Sequence, residues 1–286
     1  AECSHIVHCA GNVRMNLPIT AARRYTVTSA ENIIDLAEAV RKNDSLKKVE
    51  FVSTVGVGGK MPGALPETWI TQKRNFHNTY EQAKSEAEEL IGDRIKEGLP
   101  VTVHRPGMVV GDSKSGKIVH FQIFYHLCEF LSGRRTLGVI PDLSGWSLDI
   151  IPVDYVAKAI VWSSQSRETI GKILHLCSGP AKAVDLMVVM KRVREIFQSC
   201  GESLPRNLII PLPVFKASIP IISMFVSSRN RRAFKTLPMF FDYLKELKNF
   251  ENFQTRYLLE SNGIHIPETD FLEKVLRFYL DCNPQR

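Results

Sequence analysis

Tyr80 and Lys84 stand four residues apart in the stretch NTYEQAKSEAEELI, residues 78–91. On a helix, side chains at i and i+4 share one face, so this spacing brings a phenol beside an ammonium. A free tyrosine has a pKa of about 10 and is a poor acid or base near neutrality. A cation about 4 Å away, at an effective dielectric near 20, stabilises the phenolate by on the order of 4 kcal/mol. That is equivalent to about three pKa units and predicts a proton donor tuned toward working pH. Thr54 ends an apolar stretch upstream, with Ser53 beside it. Its hydroxyl is the candidate for holding the oxygen of a substrate carbonyl. The pair Y-x-x-x-K recurs by chance and is a weak signal alone. Its weight comes from context, a helix start that follows a Ser-Thr strand end and a glycine loop.

The elements that must position these groups follow from hydrophobic periodicity. HIVHCAG (5–11) is a short apolar run that ends in small residues and reads as a buried strand. Residues 18–42 carry helical spacing, with Ile33, Ile34, Leu36, Ala37 and Val40 on one side. KKVEFVST (47–54) is a second buried strand, and VGVGGKMPGALPET is loop by its Gly and Pro content. The helix at 78–96 and a strand at VTVHRPGMVVG (101–111) complete the series. Alternation of strand and helix predicts an α/β fold, a Rossmann-type doubly wound parallel sheet. In such sheets ligands bind beyond the carboxyl ends of the strands, here CAGN, STVGVGG and RPGMVVG. Further helices are expected near 118–132, 155–165, 184–199, 239–249 and 269–281, and strands at 148–153 and 172–177. The expected division is a sheet domain over 1–115 and a smaller, mostly helical substrate-side region over 116–286, partly interleaved with the sheet.

Composition narrows the function class. With 44% apolar and 23% charged residues, the chain is ordinary for a globular protein. A net charge of +7 suits a phosphorylated cofactor or an acidic partner and does not by itself imply nucleic acid, which is not an expected partner. The six cysteines, Cys3, Cys9, Cys128, Cys177, Cys200 and Cys282, include no C-x-x-C pair. Free thiols in a reducing, cytoplasmic setting are the expectation. Neither they nor the eight histidines show metal-ligand spacing. The opening AECSHIVHCAG lacks the basic and long apolar segments of a signal peptide.

Taken in order, IVHCAGNV, ENIIDLAEA, EFVSTVGVGG, NTYEQAKSEAEELI, VTVHRPGMVVGDSKSGK and LDIIPVDYVAKAI resemble the extended short-chain dehydrogenase/reductase superfamily. Within it they are closest to the thioester-reductase and fatty acyl-CoA reductase branch, the male-sterility type of NAD-binding domain. The resemblance spans residues 6–160. It implies reduction of an acyl thioester to aldehyde or alcohol by hydride transfer, usually from NADPH, with NADH as the other nicotinamide donor. The implied partner is acyl-CoA or an acyl carrier protein. Carried over, Tyr80 is the proton donor and Lys84 its tuner and the holder of the nicotinamide ribose. Thr54 is then the hydrogen-bond donor to the carbonyl. Cys9, Ala10 and Gly11 pass along the cofactor, and Pro106, Gly107 and Met108 lie near the nicotinamide. Two departures stand out. Thr26 occupies the place of a family asparagine. The family's G-x-x-G-x-x-G pyrophosphate turn does not precede the strand at 5–11, which matches the family's fourth strand. The resemblance therefore implies that residues 1–115 are a partial dinucleotide-binding domain, which carries the second half of a dinucleotide site.

Rival readings remain at this point. GDSKSGK (111–117) fits G-x-x-x-x-G-K, but Ile118 stands where a phosphate-binding loop needs Ser or Thr, so a surface loop is expected. NLIIPLPVFKASIPIISMFV (207–226) is apolar, but its prolines and Lys216 argue against a membrane span. With Arg229, Arg231, Arg232 and Lys235 behind it, residues 207–235 are read as core and surface, as a peripheral membrane contact, or as the wall of an acyl pocket. His8 and His175 are expected to be structural. The other functional classes are a hydroxysteroid- or sugar-nucleotide-type dehydrogenase or epimerase, and a non-catalytic binding protein that kept the fold.

Overall fold

The structure is a computed structural model that describes residues 3–225, 249–268 and 270–283. Its elements run β1 (His5–His8), α1 (Ile19–Arg41), β2 (Lys48–Val52), a 3-10 turn (Val55–Gly58), α2 (Thr79–Lys96), β3 (Val101–Pro106) and β4 (Met108–Val110). There follow α3 (Ile123–Leu131), β5 (Val139–Pro141), β6 (Ser147–Leu148), β7 (Ile150–Pro152), α4 (Val153–Gln165), β8 (Ile173–Leu176), β9 (Val184–Asp185) and α5 (Leu186–Ser199). Last come β10 (Leu208–Ile210), α6 (Leu212–Phe225), α7 (Phe253–Glu260) and α8 (Phe271–Cys282).

The chain forms two compact units. The first comprises residues 1–107, 155–181 and 248–266. It is built on a four-stranded sheet in the order β1-β2-β3-β8, every pair parallel. A parallel sheet is covered on both faces and its strands are correspondingly apolar. Val49, Phe51, Val101, Val103 and Ile173 meet Ala30, Ile34 and Ala37 of α1 and Ala87 and Ile91 of α2 in one core. Each buried Val, Ile or Phe side chain contributes about 1.5–3 kcal/mol on full burial. On α1 the buried positions Ala22, Thr26, Ala30, Ile34 and Ala37 recur at helical spacing and are mostly small, which lets α1 pack closely on α2. Gly92 of α2 has the same kind of purpose, since a Cβ there would come within 3.1 Å of the Trp69 ring.

The polar residues of β2 are buried too. Lys48 and Glu50 are 2% and 1% exposed. The Lys48 ammonium donates to the Ser163 carbonyl, to Thr169 and, at 2.5 Å, to the Ser166 carbonyl. Glu50 meets His104 of β3 at 2.5 Å and accepts from the Ser163 hydroxyl.

The second unit comprises residues 108–154, 182–247 and 267–286. Short strands pair as β4 with β7, β5 with β10, and β6 with β9. They border a core of Phe124, Tyr125, Leu127, Val189, Phe197, Phe215, Phe271 and Val275. The expected division falls at 115/116 with partial interleaving; the two units are each discontinuous in sequence. The chain leaves the sheet unit at Gly107 and returns twice, because β8 pairs with β3 and residues 249–260 pack back on it. Gly107 also splits the expected strand 101–111 into β3 and β4. Its N–H donates to Leu176 of β8 at 3.0 Å, and beyond it Met108 enters the pairing with β7.

Within the apolar stretch at 207–226, the described residues form β10 and α6, with Pro213 in the first turn and Pro220 inside the helix. Phe215 and Ile222 are buried and Val214 and Ile221 exposed. Among the described residues no helix is long and apolar enough to cross a membrane. Arg229, Arg231, Arg232 and Lys235 lie outside the described residues, as does the helix expected at 239–249 apart from its last residue. The GDSKSGK loop is a turn tied through Ser113 to the Asp154 carboxylate. Asp112 Oδ1 accepts from the main-chain N–H groups of Lys114 and Ser115 and from the Ser115 hydroxyl, so a carboxylate takes the donors that a phosphate would need.

Candidate active site

The first unit brings Thr54, Tyr80 and Lys84 together. Thr54 lies two residues beyond β2, in extended conformation, and caps the 3-10 turn: its Oγ1 accepts from the Gly56 N–H at 3.1 Å. The same side chain also hydrogen-bonds Tyr80. Strand alternation turns Ser53 the other way. There it is buried, and its Oγ has no hydrogen-bond partner among the described residues.

Tyr80 sits in the first turn of α2, whose start is well defined. Asn78 is the N-cap and accepts from the Glu81 N–H at 3.0 Å, while Glu81 accepts from the His77 N–H at 3.0 Å. This satisfies end groups that a helix leaves unpaired and places an anion at the positive end of its dipole. Thr79 ties the same turn to the loop after β1, donating to the Leu17 carbonyl at 2.7 Å.

The two site groups have displaced pKa values. Burial pushes the Tyr80 phenol up to about 12, and a hydrogen-bonding interaction with Thr54 works in the opposite direction. This corrects the expectation of a phenol brought near neutrality by Lys84. Desolvation of the phenolate is the largest effect on the phenol. At neutral pH the phenol is protonated. Lys84, 6% exposed, is pulled down to about 8 by burial, partly offset by the Glu88 carboxylate and by Cys9. Its Nζ donates to the Val52 carbonyl at 3.0 Å and lies 5.7 Å from the centre of the Phe51 ring.

Cys9, Ala10 and Gly11 follow β1 and are exposed. A Cβ at Gly11 would lie 3.7 Å from Lys84 Nζ, so the bare main chain of this strand end runs beside the ammonium. Pro106 is buried at the end of β3 and Gly107 follows it. Met108 opens β4, in the second unit. His8 and His175 are buried as expected; burial lowers the pKa of both, that of His175 to about 3. Among the described residues no cluster of His, Cys, Asp or Glu is arranged to hold a metal ion.

Sequence reasoning did not find the ion pair behind the site. Arg105 of β3 is wholly buried and forks onto Glu88 of α2, with Nη2 at 2.7 Å and Nε at 3.0 Å from its oxygens. Nη1 donates to the Thr68 carbonyl and reaches His175 Nε2, whose Nδ1 meets the Glu251 carbonyl. The signal was present: an arginine inside the apolar run VTVHRP, and a glutamate four residues beyond Lys84.

Comparison with known proteins places the chain. Glycine betaine reductase ATRR of Emericella nidulans is 32% identical over 178 residues, which are 60% of this chain and 13% of that protein. The terminal R domain from the myxalamid PKS-NRPS biosynthetic pathway superposes with a TM-score of 0.76 at 24% identity, over 98% of this chain and 68% of that one. A thiolation-reductase di-domain from an archaeal non-ribosomal peptide synthetase superposes at 0.74 and 18% identity, over 98% of this chain and 57% of that one. The chain thus spans only a part of each of these relatives. Residues 1–160, more than half of the chain, match the NAD-binding family described as male sterility protein. The chain belongs to that family.

Proposed function

We propose that the chain carries the catalytic residues of an NADPH-dependent reductase that acts on an acyl thioester bound to a carrier protein. The observation that carries this reading is the convergence of Thr54, a protonated Tyr80 and Lys84 at the strand ends of a parallel sheet. The thiolation-reductase architecture of one structural relative favours a carrier protein over free acyl-CoA as the donor of the thioester.

The residues fit the nicotinamide end of the cofactor. The bare main chain at Cys9–Gly11 runs beside the Lys84 ammonium, which suits a ribose with two hydroxyls to be held. NADPH, when bound, supplies the hydride to the thioester carbonyl carbon. Thr54 and Tyr80 donate hydrogen bonds to the carbonyl oxygen, where negative charge develops. Tyr80 then gives up its proton to that oxygen. The Lys84 charge steadies the site as the phenol loses that proton. The hydroxyl so formed then gives up its proton as the carbon–sulfur bond breaks and the departing sulfur takes one up, so that the products are an aldehyde, the carrier thiol and NADP+. A second hydride and proton take the aldehyde to an alcohol by the same arrangement.

The test is turnover of a carrier-bound acyl thioester by the natural full-length protein. Loss of reduced nicotinamide with matching appearance of free carrier thiol and of aldehyde or alcohol supports the reading. Nicotinamide oxidation with a sugar nucleotide or hydroxysteroid partner, and none with thioester, overturns it.

A further inference from the structure

Tyr80, Lys84 and Glu88 recur every four residues along α2 and share one face. A lysine and a glutamate so placed are the ordinary partners of an intrahelical ion pair. Here they form none. Both Glu88 oxygens are taken by Arg105, whose Nε lies 3.0 and 3.3 Å from them and whose Nη2 lies at 2.7 Å. Lys84 turns to the Val52 carbonyl, two residues before Thr54. A forked guanidinium engages both oxygens of a carboxylate, which a single ammonium does not match. We propose that Arg105 is a positioning residue that keeps Glu88 from pairing with Lys84 and so leaves the ammonium aimed at the end of β2, where the reaction takes place. The inference rests on the reading of Lys84 given above.

Two further observations support it. Arg105 is itself held: its Nη1 donates to the Thr68 carbonyl at 3.1 Å and meets His175 Nε2 at 3.2 Å. His175 in turn meets the Glu251 carbonyl through Nδ1 at 2.6 Å, so its proton belongs on Nδ1 and Nε2 accepts from Arg105. The guanidinium is thus fixed by groups from the loop after β2 and from β8, and Glu88 is fixed by it. Second, Glu88 still acts on Lys84 through space, opposing the effect of burial. The other charged or titratable groups around Lys84 are His8 and Cys9 at the end of β1. Behind Glu88 stand Arg105 and Arg74. A carboxylate released from Arg105 has Lys84 one turn away on the same helix face.

The proposal is tested on this chain, without substrate or cofactor, by following the side-chain carbon next to the Lys84 nitrogen by NMR through a pH titration. Lys84→Arg assigns the signal. In Arg105→Met the freed Glu88 pairs with Lys84, and the midpoint rises by about one pH unit or more. In the double variant Glu88→Gln/Arg105→Met it falls back below that of Arg105→Met, to the value in Glu88→Gln alone. An Arg105→Met midpoint equal to the wild-type value, or equal to that of the double variant, overturns the proposal. Arg105→Lys serves if Arg105→Met does not fold. Its ammonium cannot hold both oxygens, so the midpoint rises there as well, and no rise contradicts the account. In the full-length protein, kcat lost in Arg105→Lys returns in part when Glu88→Gln is added. If Lys84→Met leaves turnover intact, the functional reading fails. A flat titration fails this inference alone.

Discussion

Lys84 reaches across from α2 to the main-chain carbonyl of Val52, at 3.0 Å, and so binds the helix that carries Tyr80 to the strand that delivers Thr54. One buried hydrogen bond thus sets the relation between the two hydroxyl groups. A charge-assisted bond of this kind contributes about 1.5–3 kcal/mol, against which stands the cost of burying the ammonium.

That cost gives the first prediction. The Lys84 pKa is about 8 in the folded chain and 10.5 in the unfolded chain. A lowered folded pKa means that the unfolded chain binds the proton more tightly. Stability from this group is therefore highest above pH 10.5 and is lost as pH falls to about 8, by on the order of 3 kcal/mol. Lys84→Met removes that slope. The difference in unfolding free energy between wild type and variant, measured by urea denaturation, rises between pH 8 and 10.5. A constant difference across that window contradicts the burial described here.

Tyr80 titrates in the opposite sense. Its folded pKa of about 12 lies above the ordinary value of 10. The group's contribution to stability is complete below pH 10 and is lost as pH rises through 12. The phenol absorbance of Tyr80, obtained as wild type minus Tyr80→Phe, will show no ionisation at pH 10. A Tyr80 phenolate seen near pH 8 would restore the simple picture of a phenol tuned by its lysine neighbour.

His175 is held neutral, with a folded pKa of about 3 against 6.5. The stability it gives is present above pH 6.5 and is lost as pH falls toward 3. The unfolding equilibrium shifts by up to tenfold per pH unit in that window. His175→Gln flattens this part of the acid profile. Identical profiles for the two proteins would refute the assignment.

Gly59 closes the 3-10 turn that Thr54 caps, at a φ of 51°, and a Cβ there would stand 2.5 Å from the Asn75 carbonyl oxygen. Gly59→Ala is expected to lower stability by about 1–3 kcal/mol. It is also expected to lower kcat more than a neutral change of equal stability cost, because the turn orients the Thr54 hydroxyl. Thermal unfolding and turnover measured together check this.

Much of the sheet unit was legible in the sequence because its strands are apolar and its helices strongly periodic. β1, α1, β2, α2 and β8 stand within a few residues of their expected places. Expectation failed where polar residues are buried or apolar ones exposed. Lys48 and Glu50 are buried beneath α4, where Lys48 donates to Ser166 and Thr169 and Glu50 accepts from Ser163, partners distant in sequence. Nothing in KKVEFVST reveals them. α7 went unseen because only Thr255 and Leu259 of its residues are buried, while Phe253 and Tyr257 are exposed, which blurs the periodicity. For the site, spacing predicted that Tyr80 and Lys84 share a face. It did not predict that desolvation would outweigh the ammonium at the phenol, since burial is a property of the packed fold.

The central claim is that Tyr80 hands a proton to a thioester carbonyl oxygen held by Thr54. Single-turnover reduction of a carrier-bound acyl thioester by the full-length protein, wild type against Tyr80→Phe, tests it most directly. The account predicts an intact fold and a loss of about 10²–10⁴-fold in the rate of the chemical step. An unchanged rate in Tyr80→Phe would contradict it.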